Sequence, residues 1–241
     1  MTMLFLLVLA VHVLLSLLVN REDARKTQWL WWAASLAIQL PRFVLACGYA
    51  VMEDEFSRQL ISPVYIGAGI LAGHLIFTVS LLLTNRDVRE IGAHLFHLAP
   101  VFAYVIESPV VLSRFIGVAF AEELIYRVTA QPMLVKSLGG GVWGTALALL
   151  IVAAAFSIVH RHFFMNSLDV SLEFIGFAIL LGVIYHFTGS FVLVIVIHAL
   201  RDIEIAYLEY LIKLDECGDK ELALREIERT FFQHQQQTGK P

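Results

Sequence analysis

Two adjacent glutamates and an arginine lie within one long apolar segment of the chain. Glu123 and Arg127 are four residues apart, so a helix would place them on one face, where they can pair. Glu122 points about 100° away around the same helix and needs another partner. A carboxylate without a cation built in beside it is the better candidate for a general base, so the pattern favours Glu122 in that role.

Two further apolar segments carry histidines. His160 closes the run Phe156–Val159, and His198 and Asp202 form another i, i+4 pair. A charged side chain at the centre of a membrane helix costs roughly 2.5–3.5 kcal/mol on insertion scales, so such groups persist mainly when they pair or line a polar cavity. We therefore expect one shared cavity. Its predicted lining is Glu122, Glu123, Arg127, His160, His198 and Asp202.

The elements that must position these residues are membrane helices. Of the 241 residues, 59% are hydrophobic and 16% are charged, whereas soluble domains are about half apolar and a quarter charged. Several apolar blocks reach the length of about 20 residues that a helix needs to cross a bilayer. We predict an all-α fold, a polytopic transmembrane helical bundle of about eight spans. The predicted spans are Met3–Val19, Gln28–Met52, Leu60–Leu83, Ile91–Ile106, Val110–Leu138, Val142–His160, Ser171–Phe187 and Ser190–Leu211.

The chain divides by composition into three parts. We predict N-terminal transmembrane helices in residues 1–107, a transmembrane core in residues 108–212 that carries the candidate catalytic residues, and a polar tail in residues 213–241. Within the tail, Glu221–Phe232 has the pattern of an amphipathic helix, lying on the membrane or packed on the body. Pro41–Arg42 predicts a kink in the second span, with the arginine reaching to the interface and a substrate role as the alternative.

Three motifs, in this order along the chain, resemble one known family. Glu-Glu-x-x-x-Arg begins at Glu122, Phe-x-x-x-His at Phe156 and His-x-x-x-Asn/Asp at His198. They resemble the CAAX prenyl endopeptidase and bacteriocin-processing family of intramembrane glutamate-type proteases, over about Val110 to Leu211. The resemblance implies an intramembrane endopeptidase. Its substrate would be a membrane-associated peptide or protein, cut in a C-terminal sorting, CAAX-like or leader segment.

The resemblance also implies a role for each motif residue. Glu122, assisted by His160, would activate a water molecule, and His198 with Asp202 would stabilise the oxyanion. Glu123 and Arg127 would be structural or substrate-orienting. Asp202 stands where asparagine is commoner in the family, and an ionised aspartate only accepts hydrogen bonds. Asp202 would then orient His198, act in its protonated form or serve as a ligand. A second departure from the family pattern is Val128, which stands where glycine is usual.

We expect no cofactor. Zinc held by Glu122, His160 and His198 is the alternative, although the His-Glu-x-x-His signature of many zinc proteases is absent. Expected partners are membrane lipids and a membrane-associated substrate. The net charge of −4 suggests no nucleic-acid partner, and the expected location is a prokaryotic inner membrane. Two other functions stay open: a non-enzymatic bacteriocin-immunity or scaffolding protein of the same fold, and a proton-coupled transporter.

Overall fold

The fold is helical throughout the part of the chain that is described. A computed structural model describes residues 2–19, 28–53, 62–84, 91–92, 95, 98–160 and 162–233, and these contain no strand. The predicted all-α fold is confirmed. The helices are α1 (Thr2–Val19), α2 (Gln28–Met52), α3 (Pro63–Leu83), α4 (Leu98–Glu107), α5 (Pro109–Glu123), α6 (Gln131–Ser137), α7 (Gly141–Val159), α8 (His162–Met165), α9 (Leu168–Thr188), α10 (Phe191–Cys217) and α11 (Lys220–Gln233), with a π-helical segment, Leu124–Ala130, between α5 and α6.

Three of the described helices are long and apolar enough to cross a membrane, namely α3, α7 and α9. A fourth candidate is the pair formed by Leu98–Glu107 and Pro109–Ser137, which bends by 104° at Ser108. The predicted count of eight spans is not confirmed. Length and charge explain the difference, because α4 has only 10 residues and α10 carries Arg201, Asp202 and Glu204 near its middle.

The chain forms two compact units. The first consists of residues 1–65 and 120–194, and the second of residues 66–119 and 195–241. The boundaries fall within α3, within α5 and within α10. Glu122, Glu123, Arg127 and His160 therefore belong to the first unit, and His198 and Asp202 belong to the second. Residues 234–241 of the predicted tail lie outside the described residues.

In the first unit, α7 packs against α1, α6 and α9, and α2 packs against the π-helical segment. Tyr126, Phe156 and Leu181 are almost completely buried there. The Tyr126 and Phe156 rings meet edge to face, with 5.2 Å between their centroids. This aromatic contact fixes the segment that follows Glu122 against α7, the helix that leads to His160.

The π-helical segment interrupts what the sequence predicts as one regular helix from Val110 to Leu138. Its wider turn is closed by bonds to the fifth preceding residue: the Gln131 amide donates to the Tyr126 carbonyl oxygen, and Thr129 Oγ1 donates to the Leu124 carbonyl oxygen at 2.8 Å. Pro132 lies at the start of α6. A proline lacks an amide donor and clashes with the carbonyl four residues earlier in an α-helix, so the wider turn accommodates it.

The second unit is built around an aromatic and aliphatic core that joins α4, α10 and α11. The Tyr104 and Tyr210 rings stack at 5.0 Å between centroids, and Ala223 and Ile227 of α11 are buried in the same cluster. The helix predicted over Glu221–Phe232 is thus confirmed, and its apolar face packs on the body of its unit. The side chain of Lys220 also donates to Glu107 Oε1 at 2.6 Å.

Close approach of α3 to α10 within the second unit depends on Gly73. A Cβ atom on Gly73 would lie 3.2 Å from the Ile197 Cα and 3.3 Å from the Ile197 carbonyl oxygen. These are backbone atoms, which cannot move aside as the end of a side chain can. Small residues at such crossings let helix backbones approach closely. Gly73 therefore sets the distance between α3 and the helix that carries His198.

We predict that Gly73→Leu destabilises the protein by about 1–3 kcal/mol, the usual cost of overpacking a tight contact. The measurement is the midpoint of thermal unfolding of the detergent-solubilised protein, followed by cysteine-reactive dye or by tryptophan emission. Gly67→Leu is the matched control, because Gly67 lies in the same helix and a Cβ atom added there would meet nothing within 4 Å. Equal midpoints for the two variants would contradict the packing described for Gly73.

Candidate active site

Glu122 meets His160 inside the first unit. Glu122 Oε1 lies 3.4 Å from His160 Nε2, and each side chain is 22% exposed. Glu122 is the second-last residue of α5, and His160 caps the C-terminal end of α7, where its backbone amide donates to the Ser157 carbonyl oxygen. The partner that Glu122 needs is therefore the histidine of the second motif. Partial exposure leaves both groups open to a small reactant.

The hydrogen bonding of His160 determines which ring nitrogen faces Glu122 as an acceptor. His160 Nδ1 lies 2.6 Å from the Phe156 carbonyl oxygen, which can only accept. Nδ1 must therefore carry a proton, so in the neutral ring Nε2 presents a lone pair toward Glu122. A carboxylate and a lone pair at 3.4 Å repel each other unless a proton lies between them or a donor binds both. The pair is thus built to share or receive a proton.

Aromatic rings hold the imidazole of His160 in this orientation. Its ring centroid lies 4.6 Å from that of Phe156 and 5.3 Å from that of Phe174. Phe156 and Phe174 also stack on each other at 5.5 Å. With Nδ1 bound to the backbone and both rings packed against the imidazole, the side chain has little freedom to rotate, and Nε2 keeps its position beside Glu122.

Glu123 has a different environment from its neighbour. Its Oε2 lies 3.3 Å from Arg127 Nε, and both side chains are completely buried. Arg127 Nη2 donates to the Ala178 carbonyl oxygen in α9 at 3.2 Å, and its guanidinium carbon lies 5.0 Å from the centre of the Phe156 ring. The i, i+4 pair expected from the spacing is present. Its contacts join the π-helical segment to α7 and α9.

In the second unit, His198 and Asp202 also form a pair. His198 Nε2 lies 3.6 Å from Asp202 Oδ2, and Arg201 Nη1 lies 3.9 Å from Asp202 Oδ1. His198 is buried, whereas the Asp202 side chain is 20% exposed. Each unit therefore brings its own motif residues together. The single cavity predicted for all six residues stays a prediction.

Comparison with known proteins gives one family. The family model described as type II CAAX prenyl endopeptidase Rce1-like matches residues 104–203. The matched segment is similar to this family. It contains all three motifs, from Glu122 to Asp202, so the family resemblance is confirmed over this part of the chain and supports a membrane-embedded peptidase. No curated protein and no solved structure matches the chain.

The second unit includes one buried carboxylate that the motif reasoning did not use. Glu204 is completely buried, and its Oε1 lies 2.5 Å from His74 Nδ1. His74 Nε2 faces the Leu95 carbonyl oxygen at 3.1 Å. The pair joins α3 to α10. In the sequence, Glu204 is visible only as a glutamate two residues after Asp202. Nothing in the local pattern links it to His74, which lies 130 positions away.

The side chain of Arg42 lies in a different place from the one that the sequence predicts. We expected its side chain to reach the membrane interface, but the residue is only 8% exposed. Its Nη1 donates to Tyr126 Oη at 3.4 Å, and its guanidinium carbon lies 5.9 Å from the centre of the Tyr126 ring. The prediction of a snorkelling arginine is wrong, because the Tyr126 hydroxyl at the π-helical segment offers it a partner inside the unit.

No group of three or more histidine, cysteine, aspartate or glutamate side chains is arranged to hold a metal ion among the described residues of the chain. The zinc alternative stays a prediction. Glu122 and His160 form a two-residue contact in the first unit, with the acceptor geometry described above.

We predict that Arg127→Met lowers the free energy of unfolding by about 3–5 kcal/mol, because it leaves the buried Glu123 carboxylate without its compensating charge. The measurement is the thermal midpoint in detergent, with the amount of folded protein recovered from membranes as a second readout.

The matched control for Arg127→Met is Arg229→Met. Arg229 forms an i, i+3 pair with Glu226 in which its side chain is 59% exposed, and exposed pairs contribute little. The Arg229 variant should unfold within about 1 kcal/mol of the parent chain. An Arg127 variant as stable as this control would show that the buried pair does not hold the unit together.

Proposed function

We propose that the chain is an intramembrane glutamate-type endopeptidase, and that Glu122 with His160 activates the water that attacks a peptide bond. The observation that carries the proposal is the 3.4 Å contact between Glu122 Oε1 and His160 Nε2. The second support is the Rce1-like match over residues 104–203. The substrate would be a membrane-associated peptide or protein, cut in a C-terminal CAAX-like sorting segment or a leader segment.

Two acceptors aimed at one place can polarise one water molecule. With His160 Nδ1 bound to the Phe156 carbonyl oxygen, an ionised Glu122 and the Nε2 lone pair can each accept one hydrogen from the same water. Proton transfer to Glu122 as the oxygen attacks the peptide carbonyl would give the tetrahedral intermediate. The protonated pair would then return a proton to the leaving amine, which completes the hydrolysis.

The position of His160 at the end of a helix favours its protonated form during the proposed reaction. The carbonyl groups at the C-terminal end of a helix carry partial negative charge, which favours a cation there. His160 follows Val159, the last residue of α7, so an imidazolium formed during the reaction would be stabilised. Glu123 cannot share the work of Glu122, because Arg127 and complete burial hold it away from a reactant.

The third motif supplies the remaining roles in the proposal. By resemblance to the family, His198 would stabilise the oxyanion, and Asp202 would orient His198 through the contact between Nε2 and Oδ2 at 3.6 Å. An oxyanion donor of this kind is worth about 100- to 1000-fold in rate. The proposed reaction needs no cofactor, and its proposed location is a prokaryotic inner membrane, among lipids that also hold the substrate.

We predict that Glu122→Gln and His160→Ala each lower the cleavage rate by at least about 100-fold, since general-base catalysis contributes that much or more. The assay measures release of fluorescence from a quenched, farnesylated peptide that ends in Cys-Val-Ile-Met, with the full chain in proteoliposomes. An unprenylated peptide of the same sequence is assayed in parallel. The two variants should keep the thermal midpoint of the parent chain within a few degrees.

Matched controls are Glu221→Gln and His186→Ala. Glu221 is 80% exposed in α11, and His186 is exposed at the end of α9, so both variants should cleave at the parent rate. Full activity of Glu122→Gln, or no cleavage of either peptide by the parent chain, would contradict the proposal. Loss of parent activity with 1,10-phenanthroline, restored by zinc, would favour the zinc alternative.

A further inference from the structure

Within the second unit, α3 contacts α10 at both ends of the stretch that carries the third motif. A Cβ atom on Gly73 would lie 3.2 Å from the Ile197 Cα. The next residue of α3 is His74, whose Nδ1 lies 2.5 Å from Glu204 Oε1. Ile197 and Glu204 are seven residues apart, close to two helical turns, so they lie on one face of α10. Both residues of the third motif lie between them in the sequence.

The third-motif side chains leave α10 on a different face from the one that α3 contacts. At about 100° per residue, His198 and Asp202 lie within about 40° of each other around the helix. The centre of their face is about 130° from the centre of the face that holds Ile197 and Glu204. A rotation of α10 about its axis would therefore turn His198 and Asp202 by the same angle as the face that α3 contacts. The contacts with α3 limit that rotation.

The two contacts of the His74 ring define how many protons the pair holds. His74 Nε2 faces the Leu95 carbonyl oxygen at 3.1 Å, which can only accept, so Nε2 carries a proton. His74 Nδ1 and Glu204 Oε1, at 2.5 Å, must then have a second proton between them. The pair is an imidazolium with a carboxylate or a neutral imidazole with a carboxylic acid. It carries no net charge in either form, which suits its burial among apolar helices.

The direction of these hydrogen bonds distinguishes the pair from the apolar contacts around it. Apolar contacts have no preferred angle, whereas a hydrogen bond weakens steeply when its angle departs from the preferred range. His74 is also held from its backbone side, because its carbonyl oxygen accepts from Thr78 Oγ1 at 2.8 Å. With Leu95 and Glu204 on the two ring nitrogens, the imidazole gives α10 a fixed point of attachment to α3.

We propose that the hydrogen bond between His74 and Glu204 sets the rotation of α10 and so the direction of the third-motif side chains. The two residues are positioning residues of the proposed endopeptidase and act through α10. This inference rests on the proposed function, in which His198 stabilises the oxyanion. A displacement of about 1 Å at a reacting centre can cost about 100-fold in rate, so loss of the bond would lower kcat and leave substrate affinity nearly unchanged.

Two substitutions of Glu204 separate the hydrogen bond from the charge. Glu204→Gln keeps the bond, because the glutamine amide can donate to His74 Nδ1 while Nε2 still donates to the Leu95 carbonyl oxygen. Glu204→Leu removes the bond at nearly the same side-chain size. For the quenched farnesylated peptide that ends in Cys-Val-Ile-Met, we expect kcat to stay within about threefold of the parent for Glu204→Gln and to fall at least about 10-fold for Glu204→Leu. KM should stay within about threefold for both.

His74→Phe provides an independent loss of the same bond. It keeps an aromatic ring in place and removes both ring nitrogens, so kcat should fall as it does for Glu204→Leu. The matched control is Glu216→Leu, in the same helix at a position where the side chain is 55% exposed, and it should keep the parent kcat. All rates are expressed per mole of folded protein, because a purely structural role would lower the folded amount and leave kcat unchanged.

The rotation of α10 is measured separately from cleavage, by the rate at which a maleimide modifies one cysteine. The reporter is Asp202→Cys, at a position where the parent side chain is 20% exposed. The full chain in detergent also carries Cys47→Ala and Cys217→Ala, which leave the reporter as its single thiol. Adding Glu204→Gln should leave the labelling rate unchanged. Adding Glu204→Leu should change it beyond the spread among the other chains.

A parental kcat in folded Glu204→Leu or His74→Phe would overturn the inference. A loss of at least about 10-fold in Glu204→Gln would overturn it too, and this comparison needs neither of the other variants to fold. Equal labelling rates in all the reporter chains would overturn it whether or not the chain cleaves. A labelling rate that changes only with Glu204→Leu, in a chain whose parent form hydrolyses nothing, would refute the proposed function and leave the anchoring of α10 standing.

Discussion

A charge inside an apolar helical body must be compensated within that body, and the Glu123–Arg127 pair is where this chain meets that constraint most completely. Both side chains are fully buried, and Arg127 also reaches the Ala178 carbonyl oxygen and the Phe156 ring. These contacts come from three different helical elements. The pair therefore fixes the π-helical segment against its neighbours, and the placement of Glu122 and Tyr126 follows from that.

The two adjacent carboxylates are chemically identical, but their surroundings give them different roles. Glu123 has an arginine, no exposure and a structural set of contacts. Glu122 has a histidine, partial exposure and an acceptor opposite it. Their side chains leave the helix about 100° apart, so one faces the packed interior and the other faces the end of α7. A one-residue shift in the helix would move one glutamate into the other's surroundings and bring Ala121 or Leu124 into the vacated position.

Much of the secondary structure could be predicted from the sequence because hydrophobic blocks and helix breakers are local signals. The second predicted span, Gln28–Met52, coincides with α2, and the triple glycine beginning at Gly139 ends α6 as expected. The Glu123–Arg127 pairing also follows from spacing alone. The count of membrane spans does not, since a helix of 10 residues or one with three central charges can be apolar on average without qualifying as a span.

Several contacts of buried side chains could not be predicted, because they join distant parts of the chain. Burial of Arg42 requires the hydroxyl of Tyr126, 84 positions away, and neither residue is a fixed position of a motif. The His74–Glu204 pair could not be predicted from the sequence for the same reason. Pro132 signals an irregularity in its helix, but whether a proline produces a kink, a break or a wider turn depends on its surroundings, which the local sequence does not reveal.

The central claim is that Glu122 and His160 act as one unit on one water molecule, and a double-mutant cycle on cleavage measures this directly. Residues that act together are strongly non-additive, so losing either member costs about as much as losing both. The account predicts that the chain carrying Glu122→Gln and His160→Ala together cleaves the farnesylated peptide no more slowly than the slower single variant, within about threefold. Losses that multiply, so that the double variant is slower by the product of the two single effects, would contradict it.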